Sequence, residues 1–165
     1  MATVLRARAL WKSYAAGVTG CWARAWVLRG ASLDVERGEC VAVLGAAGAG
    51  TTTLIHCLAG LRRLDAGTIE SDLAPQLVEP SHLDGDHPRG DRILLLDDDA
   101  RSRRRPRLVR EEIATGTTII VATHELARVR TVADRVLLLH HGRLLPLHHL
   151  TRARRVAERA DEAHR

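Results

Sequence analysis

The sequence predicts an α/β domain, a largely parallel β-sheet interleaved with helices and preceded by an antiparallel β layer. Three observations carry this. The runs Cys40 to Leu44 and Ile93 to Leu96, with the similar Thr117 to Ala122, have the length and composition of strands buried on both faces. Helical patterns separate them, and strands alternating with helices favour parallel crossovers. Nearer the N-terminus, Val27 to Val35 instead alternates apolar and polar residues, as in a sheet with one face in solvent.

The chain has 165 residues, enough for one domain with a sizeable core that buries about 70% of the surface its unfolded form exposes. The expected division is a domain over residues 1 to 150 and a charged, helical tail over 151 to 165. Short strands are expected over residues 3 to 10 and 26 to 35, forming the antiparallel layer. Arg37-Gly38-Glu39 makes a turn into the strand Cys40 to Leu44, and a glycine-rich loop follows directly. From Thr52 the pattern is helical, with Leu54, Ile55, Leu58 and Leu61 at three-to-four spacing and Gly60 as a stop signal. Asp65-Ala66-Gly67 turns into another short strand, and residues 71 to 92, rich in Pro, Gly, Asp, Ser and His, read as a loop. Ile93 to Leu96 ends in Asp97-Asp98-Asp99, Leu108 to Ala114 forms a short helix, and the strand from Thr117 ends in Thr123-His124-Glu125. A helix from Leu126 to about Ala133 leads to a strand over Arg135 to Leu139 and a turn at His141-Gly142.

The formal charge of +5 comes almost wholly from arginine, since Lys12 is the single lysine. A basic balance suits nucleic acid, anionic headgroups or nucleotides and does not choose among them. The dense basic tract Arg101 to Arg107 has no aromatic platform beside it, so it reads as a solvated surface and nucleic-acid binding is not expected. Cys21, Cys40 and Cys57 are odd in number and show no C-x-x-C spacing, which fits a reducing cytoplasm better than a disulfide framework. The pairs His140-His141 and His148-His149 lack metal-ligand spacing. No apolar run approaches the roughly 20 residues of a membrane span, and no signal peptide opens the sequence.

Gly45-Ala-Ala-Gly-Ala-Gly-Thr-Thr-Thr53 lies between a buried strand and a helix. Such a loop aims several backbone N–H groups at one point, and the helix N-terminus adds partial positive charge there. Gly45, Gly48 and Gly50 permit the close backbone approach that a phosphate needs. The spacing is that of G-x-x-x-x-G-K-[ST], except that Thr51 stands where lysine belongs. Thr52 keeps the hydroxyl expected on Mg²⁺. Thr51 is neutral and too short to reach the β- and γ-phosphates, a loss that predicts retained binding and poor hydrolysis.

Several segments in order resemble the nucleotide-binding subunit of ABC transporters. Leu28 to Leu33 with Glu36 to Leu44 is similar to that family's approach to the phosphate loop, and Leu58-Ala-Gly60 with Asp65 to Ile69 is similar to its exit. Ile93 to Asp97 resembles the Walker B strand, and Thr118 to His124, Ala133 to Leu139 and Gly142 to Leu144 resemble the switch-histidine region. The resemblance implies a P-loop NTPase fold with an ABC ATPase, RecA-like core, and ATP with Mg²⁺ as ligands. It also implies roles: Tyr14, in Lys12-Ser-Tyr14, stacks on adenine, while Gly45, Gly48, Ala49, Gly50, Thr51, Thr52 and Thr53 hold phosphates. Thr52 and Asp97 serve the metal, Asp98 takes the place of the catalytic glutamate, and His124 contacts the γ-phosphate. Gln76 is placed as the glutamine that senses Mg²⁺ and couples to membrane subunits.

The departures are equally specific. Only about sixteen residues separate Gln76 from Ile93, where the family places a helical subdomain ending in the signature Leu-Ser-Gly-Gly-Gln. Asp98 is one methylene shorter than the glutamate it replaces, and the aspartate of the family's D-loop falls on Arg104. The resemblance therefore implies a degenerate Mg·ATP-binding subunit with weak or no hydrolysis, cytoplasmic or peripheral at the inner face of the membrane. Its implied partners are a complete ABC ATPase in a heterodimer and a membrane permease. The alternative is a scaffold or regulatory partner that keeps the core without the nucleotide.

Overall fold

The computed structural model describes residues 2–16, 23–78, 91–98 and 106–147. In chain order its elements are β1 (Thr3–Ala16), β2 (Ala23–Glu36), β3 (Cys40–Leu44), α1 (Thr51–Leu58), β4 (Ala66–Ser71) and β5 (Pro75–Val78). They continue with β6 (Ile93–Asp98), α2 (Pro106–Ala114), β7 (Thr118–Thr123), α3 (Leu126–Val129), β8 (Arg135–His140) and β9 (Arg143–Pro146). A six-stranded sheet has the order β5-β6-β7-β3-β8-β9, and a three-stranded antiparallel sheet has the order β2-β1-β4. Every pairing in the larger sheet is parallel except that of β9 with β8.

Burial on both faces explains why the central strands are continuously apolar. Val41, Val43, Leu95, Ile120 and Ala122 pack with Leu54, Ile55 and Leu58 of α1 and with Leu5, Leu10, Leu28 and Val35 of the antiparallel layer. The alternate residues Cys40, Ala42, Leu94, Leu96, Ile119 and Val121 face Val109 of α2 and Val129 of α3. Polar staples fix the strand ends. The Cys40 N–H donates to Asp134 Oδ2 at 2.9 Å while the Asp134 N–H donates to the Cys40 carbonyl at 2.8 Å, tying β3 to the start of β8. Arg135 donates to both oxygens of Glu39, at 2.9 and 3.1 Å.

Three expectations need correction. The N-terminal strands run to 14 residues each, so Lys12, Ser13 and Tyr14 belong to β1. Their register shifts between Ala7 and Leu10, Leu10 and Trp11, and Lys12 and Ser13, and each shift erases the two-residue periodicity by which a strand is recognised. The stretch read as a loop over 71 to 92 contains β5, whose Pro75 and Gln76 pair with Ile93 and Leu94 of β6. Four residues beginning with proline make an edge strand with almost no pattern. The helix expected to reach Ala133 stops at Val129, and tight turns from Arg130 to Ala133 follow it. The turn expected at His141-Gly142 is present: both residues have positive φ, 47° and 77°, the geometry of a two-residue hairpin, and it leads into a further strand, β9. The helical tail expected over 151 to 165 lies outside the described residues.

The helices described have eight, nine and four residues, and the connection over residues 79–92 is too short to hold a helical subdomain. The core is α/β with that subdomain missing, as the sequence predicts.

Two charged groups carry testable weight. Glu112 of α2, only 6% exposed, accepts from Arg92 at 2.6 Å and from the Thr117 hydroxyl at 3.2 Å. Glu112→Ala leaves the Arg92 guanidinium buried without its counter-charge, and should cost about 3 kcal/mol in urea unfolding. Loss of the exposed Arg8–Asp34 pair at 2.8 Å should cost under about 1 kcal/mol, so equal losses would contradict this ranking.

Asp65, in the turn before β4, accepts at Oδ2 from the Ser13 N–H at 2.7 Å and the Ser13 hydroxyl at 2.6 Å. Those Ser13 hydrogen bonds, with Lys12 and Arg24 nearby, hold its carboxyl below the ordinary value of 3.8. A depressed folded-state pKa means that the contribution is complete above the unfolded-state value and is lost as the pH falls through the folded one. Asp65→Asn should therefore flatten the acid limb of the stability curve below about pH 4. Parallel wild-type and variant curves across that limb would contradict the linkage.

Candidate functional site

Parallel register brings the carboxyl ends of three strands to one line. Leu44 of β3 lies beside Thr123 of β7, and Thr123 lies beside Asp98 of β6. The crevice outside such strand ends is where open α/β sheets bind ligands. From this line emerge the loop beginning at Gly45, the Asp97-Asp98 pair, and His124. The Gly45 N–H donates to the Thr123 carbonyl at 3.1 Å, joining the first residue of the loop to the end of β7.

Within the loop, the Ala49 N–H donates to the Ala46 carbonyl at 2.9 Å, closing a tight turn, and Gly50 forms the N-cap of α1 with φ 99°. The bond from the Leu54 N–H to the Gly50 carbonyl, 2.9 Å, is the first α-type bond of the helix. The amides of Thr51, Thr52 and Thr53 precede it, as helix-start donors do, and bring positive partial charge to the loop.

Val27 of β2 closes over this junction. A Cβ on Gly50 would stand 2.3 Å from Val27 Cγ1, and one on Gly45 would stand 2.7 Å from Thr51 Cγ2. Glycine is therefore required at Gly50 both by space and by its left-handed φ. The result is a loop of glycines and alanines with no side chain larger than a methyl before Thr51, at a helix start, which fits a phosphate group. The donor set lacks a cation: half-buried Thr51 packs its methyl beside Gly45, where the motif would place lysine.

The remaining candidates divide. Thr52 is exposed, while half-buried Thr53 brings its Oγ1 to 3.2 Å from the Tyr14 hydroxyl. Tyr14, though remote in sequence, is thus held beside the phosphate loop. Lys12 Nζ and Arg62 Cζ lie over its ring at 5.4 and 5.6 Å from the centroid. Half-buried Asp97 follows the buried Leu96, Asp98 ends β6, and His124 is exposed just beyond β7. Next to His124, Glu125 is held below the ordinary carboxylate value by its hydrogen bond from Arg128.

Gln76 stands apart. It pairs with Leu94, which pairs with Ile119, which pairs with Cys40, so it sits level with the beginning of β3 and not with its carboxyl end. Its strand is also three places from β3 in the sheet order. Sequence reasoning assigned no role to Val27, Arg62, Asp65 or Ser13, although Ser13 and Asp65 lie within segments that carry the family resemblance. The alternation of β2 gives no signal for Val27, because its neighbour Leu28 is the fully buried one.

Among the described residues there is no group of three metal-ligating side chains, and no helix long and apolar enough to cross a membrane. Cys40 and Cys57 are buried and free of disulfides. Cys21, His148, His149 and Arg101 to Arg105 lie outside the described residues.

Comparison with known proteins converges on one family. Residues 28–161 match the model of the ABC transporter family. The methionine import ATP-binding protein MetN of Rhizobium etli is 28% identical over 200 aligned positions, covering 72% of this chain and 55% of that protein. The aliphatic sulfonates import ATP-binding protein SsuB 3 of Nocardia farcinica is 45% identical over 56 residues, 34% of this chain and 23% of its own. The chain thus spans about half or less of the length of these relatives. The 200 aligned positions exceed the 165 residues available here, so the MetN alignment opens a large internal gap on this side.

Among solved structures, cbiO1 from Clostridium perfringens superposes with a TM-score of 0.65 at 18% identity, covering 87% of each chain. The ATP-binding cassette MJ0796, a dimer bound to ADP and Pi after hydrolysis, gives 0.66 at 13% identity, covering 85% of this chain and 96% of the other. At those identities the structures establish the fold, and the matched sequence model establishes the family. The chain belongs to the ABC transporter family and carries the P-loop NTPase fold of that family's ATP-binding subunits.

Proposed function

We propose that this chain is a degenerate ATP-binding subunit, holding Mg·ATP in the crevice at the ends of β3, β6 and β7 and hydrolysing it poorly or not at all. The observation that carries this reading is the junction itself: Gly50 is pressed under Val27 and joins a loop of glycines and alanines to the first-turn amides of α1, while Thr51 occupies the lysine place. Gly45, Gly48, Ala49, Gly50, Thr51, Thr52 and Thr53 hold the phosphates, chiefly through backbone N–H groups. Tyr14 offers its ring to adenine, and Thr52 and Asp97 serve the metal. Mg²⁺, bound with the nucleotide, supplies charge neutralisation between the phosphate oxygens. Asp98 orients water weakly because it is short, and His124 reads the terminal phosphate.

The sequence contains no signature segment, so a homodimer of this chain lacks that element on both sides. A complete ABC ATPase is the partner that supplies it, with a membrane permease as the coupled subunit and the inner face of the membrane as the place of work. The import functions in the relatives' names make transport the setting. Gln76, level with the wrong end of β3, supports no role in the metal site. A second reading, a scaffold without nucleotide, is favoured by one observation, the Thr51 methyl packed beside Gly45 where a cation would stand.

Calorimetric titration with Mg·ATP separates the two. The nucleotide reading predicts measurable binding by the wild type and a gain of about ten- to a hundredfold on Thr51→Lys, the range of one added charge-assisted hydrogen bond. Hydrolysis by Thr51→Lys should stay slow, because Asp98 and the absent signature are unchanged. No binding by either protein at millimolar Mg·ATP would leave only the scaffold.

A further inference from the structure

The segment Trp11 to Tyr14 has an unusual support. Pairing of β1 with β4 ends at Trp11 and Ala66, so beyond Trp11 the strand keeps only β2 as a ladder neighbour. That ladder is itself irregular here, with a register shift between Lys12 and Ser13. Backbone pairing alone therefore holds the approach to Tyr14 loosely.

Asp65 takes over from the ladder. Its N–H donates to the Trp11 carbonyl at 2.9 Å, and its Oδ1 lies 3.6 Å from Lys12 Nζ. Its Oδ2 accepts from the Ser13 N–H and hydroxyl at 2.7 and 2.6 Å and lies 3.3 Å from Arg24. Arg24 Nε completes the set by donating to the Ser13 hydroxyl at 2.8 Å. Asp65 thus engages three successive residues of β1, Trp11 through its backbone N–H and Lys12 and Ser13 through its carboxylate, and Ser13 is only 4% exposed. The next residue is Tyr14, whose hydroxyl lies 3.2 Å from Thr53 in the first turn of α1. Asp65, in the turn before β4, thus holds β1 just ahead of Tyr14, and Thr53 in the first turn of α1 holds Tyr14 itself.

We propose that Asp65 is a positioning residue which, through Ser13, sets the placement of the Tyr14 ring over the phosphate loop and so governs recognition of the nucleotide's base and not of its phosphates. This rests on the Mg·ATP reading above. Asp65 touches neither the loop nor its amides, and a bare polyphosphate has no ring to stack on Tyr14. Its removal therefore acts on one end of the ligand only.

The test uses the full chain with Asp65→Asn and Ser13→Ala, each assayed for Mg·ATP and for magnesium tripolyphosphate. Both variants should bind Mg·ATP about tenfold more weakly, the scale of one lost charge-assisted hydrogen bond, and tripolyphosphate within about twofold of wild type. Hydrogen exchange of the ligand-free proteins should quicken over residues 10 to 16 and stay unchanged over β6 and β7. An equal fall for both ligands shows a merely structural role and overturns the proposal, as does unchanged Mg·ATP affinity. Unchanged exchange over 10 to 16 removes the clamp whatever is bound. A wild type that binds neither ligand overturns the nucleotide reading and the base recognition built on it, while the exchange measurement still judges the clamp.

Discussion

Strand β3 is buried on both faces, and the rest of the molecule follows from covering it. One face takes α1 and the antiparallel layer, and the other takes α2 and the turns around Val129 and Val132. Because the antiparallel layer must lie over α1, β2 is driven down on the start of that helix, and Val27 meets Gly50 with no room for a Cβ. The contact of half-buried Val27 lies at the rim of that core, and it shapes the glycine loop. Packing of the antiparallel layer and the geometry of the loop are here linked, so the glycine at position 50 is fixed by its surroundings.

The second layer of organisation is polar. Asp134 binds the start of β3 to β8, Glu112 ties α2 to the foot of β6, and Asp65 ties β1 to the exit of α1. Each places one carboxylate against N–H or guanidinium donors at a strand end, where the sheet ladder runs out. These are the sites at which a short chain without the helical subdomain keeps its elements in register.

Much of this was legible in the sequence, for physical reasons. Cys40 to Leu44 and Ile93 to Leu96 announce themselves because burial on both faces forbids polar residues, and the loop from Gly45 does so by its run of glycines and alanines between a buried strand and a helix. β5 was hidden because an edge strand of four residues starting with Pro75 has too few positions to show a period. The ends of β1 and β2 were hidden because bulges break the alternation. The candidate loop was legible because one motif carried it. Tyr14, singled out through a family resemblance, lies against Thr53, whereas Val27, Ser13, Asp65 and Arg62 gain their place beside it only through contacts distant in sequence. Gln76, by contrast, sits level with Cys40 at the beginning of β3, away from the strand ends where the other candidates gather, a placement that no sequence pattern showed.

Loss of a lysine and retention of the cradle make opposite demands on the same loop, and the backbone is where they can be weighed. The most direct measurement is an amide-resolved NMR titration of the intact chain with Mg·ATP. A phosphate cradle made of backbone donors predicts saturable shifts concentrated at Gly48 and at Gly50 through Thr53, with smaller ones at Tyr14 and His124. Shifts absent from that loop, or no larger there than across β8 and β9, would contradict it.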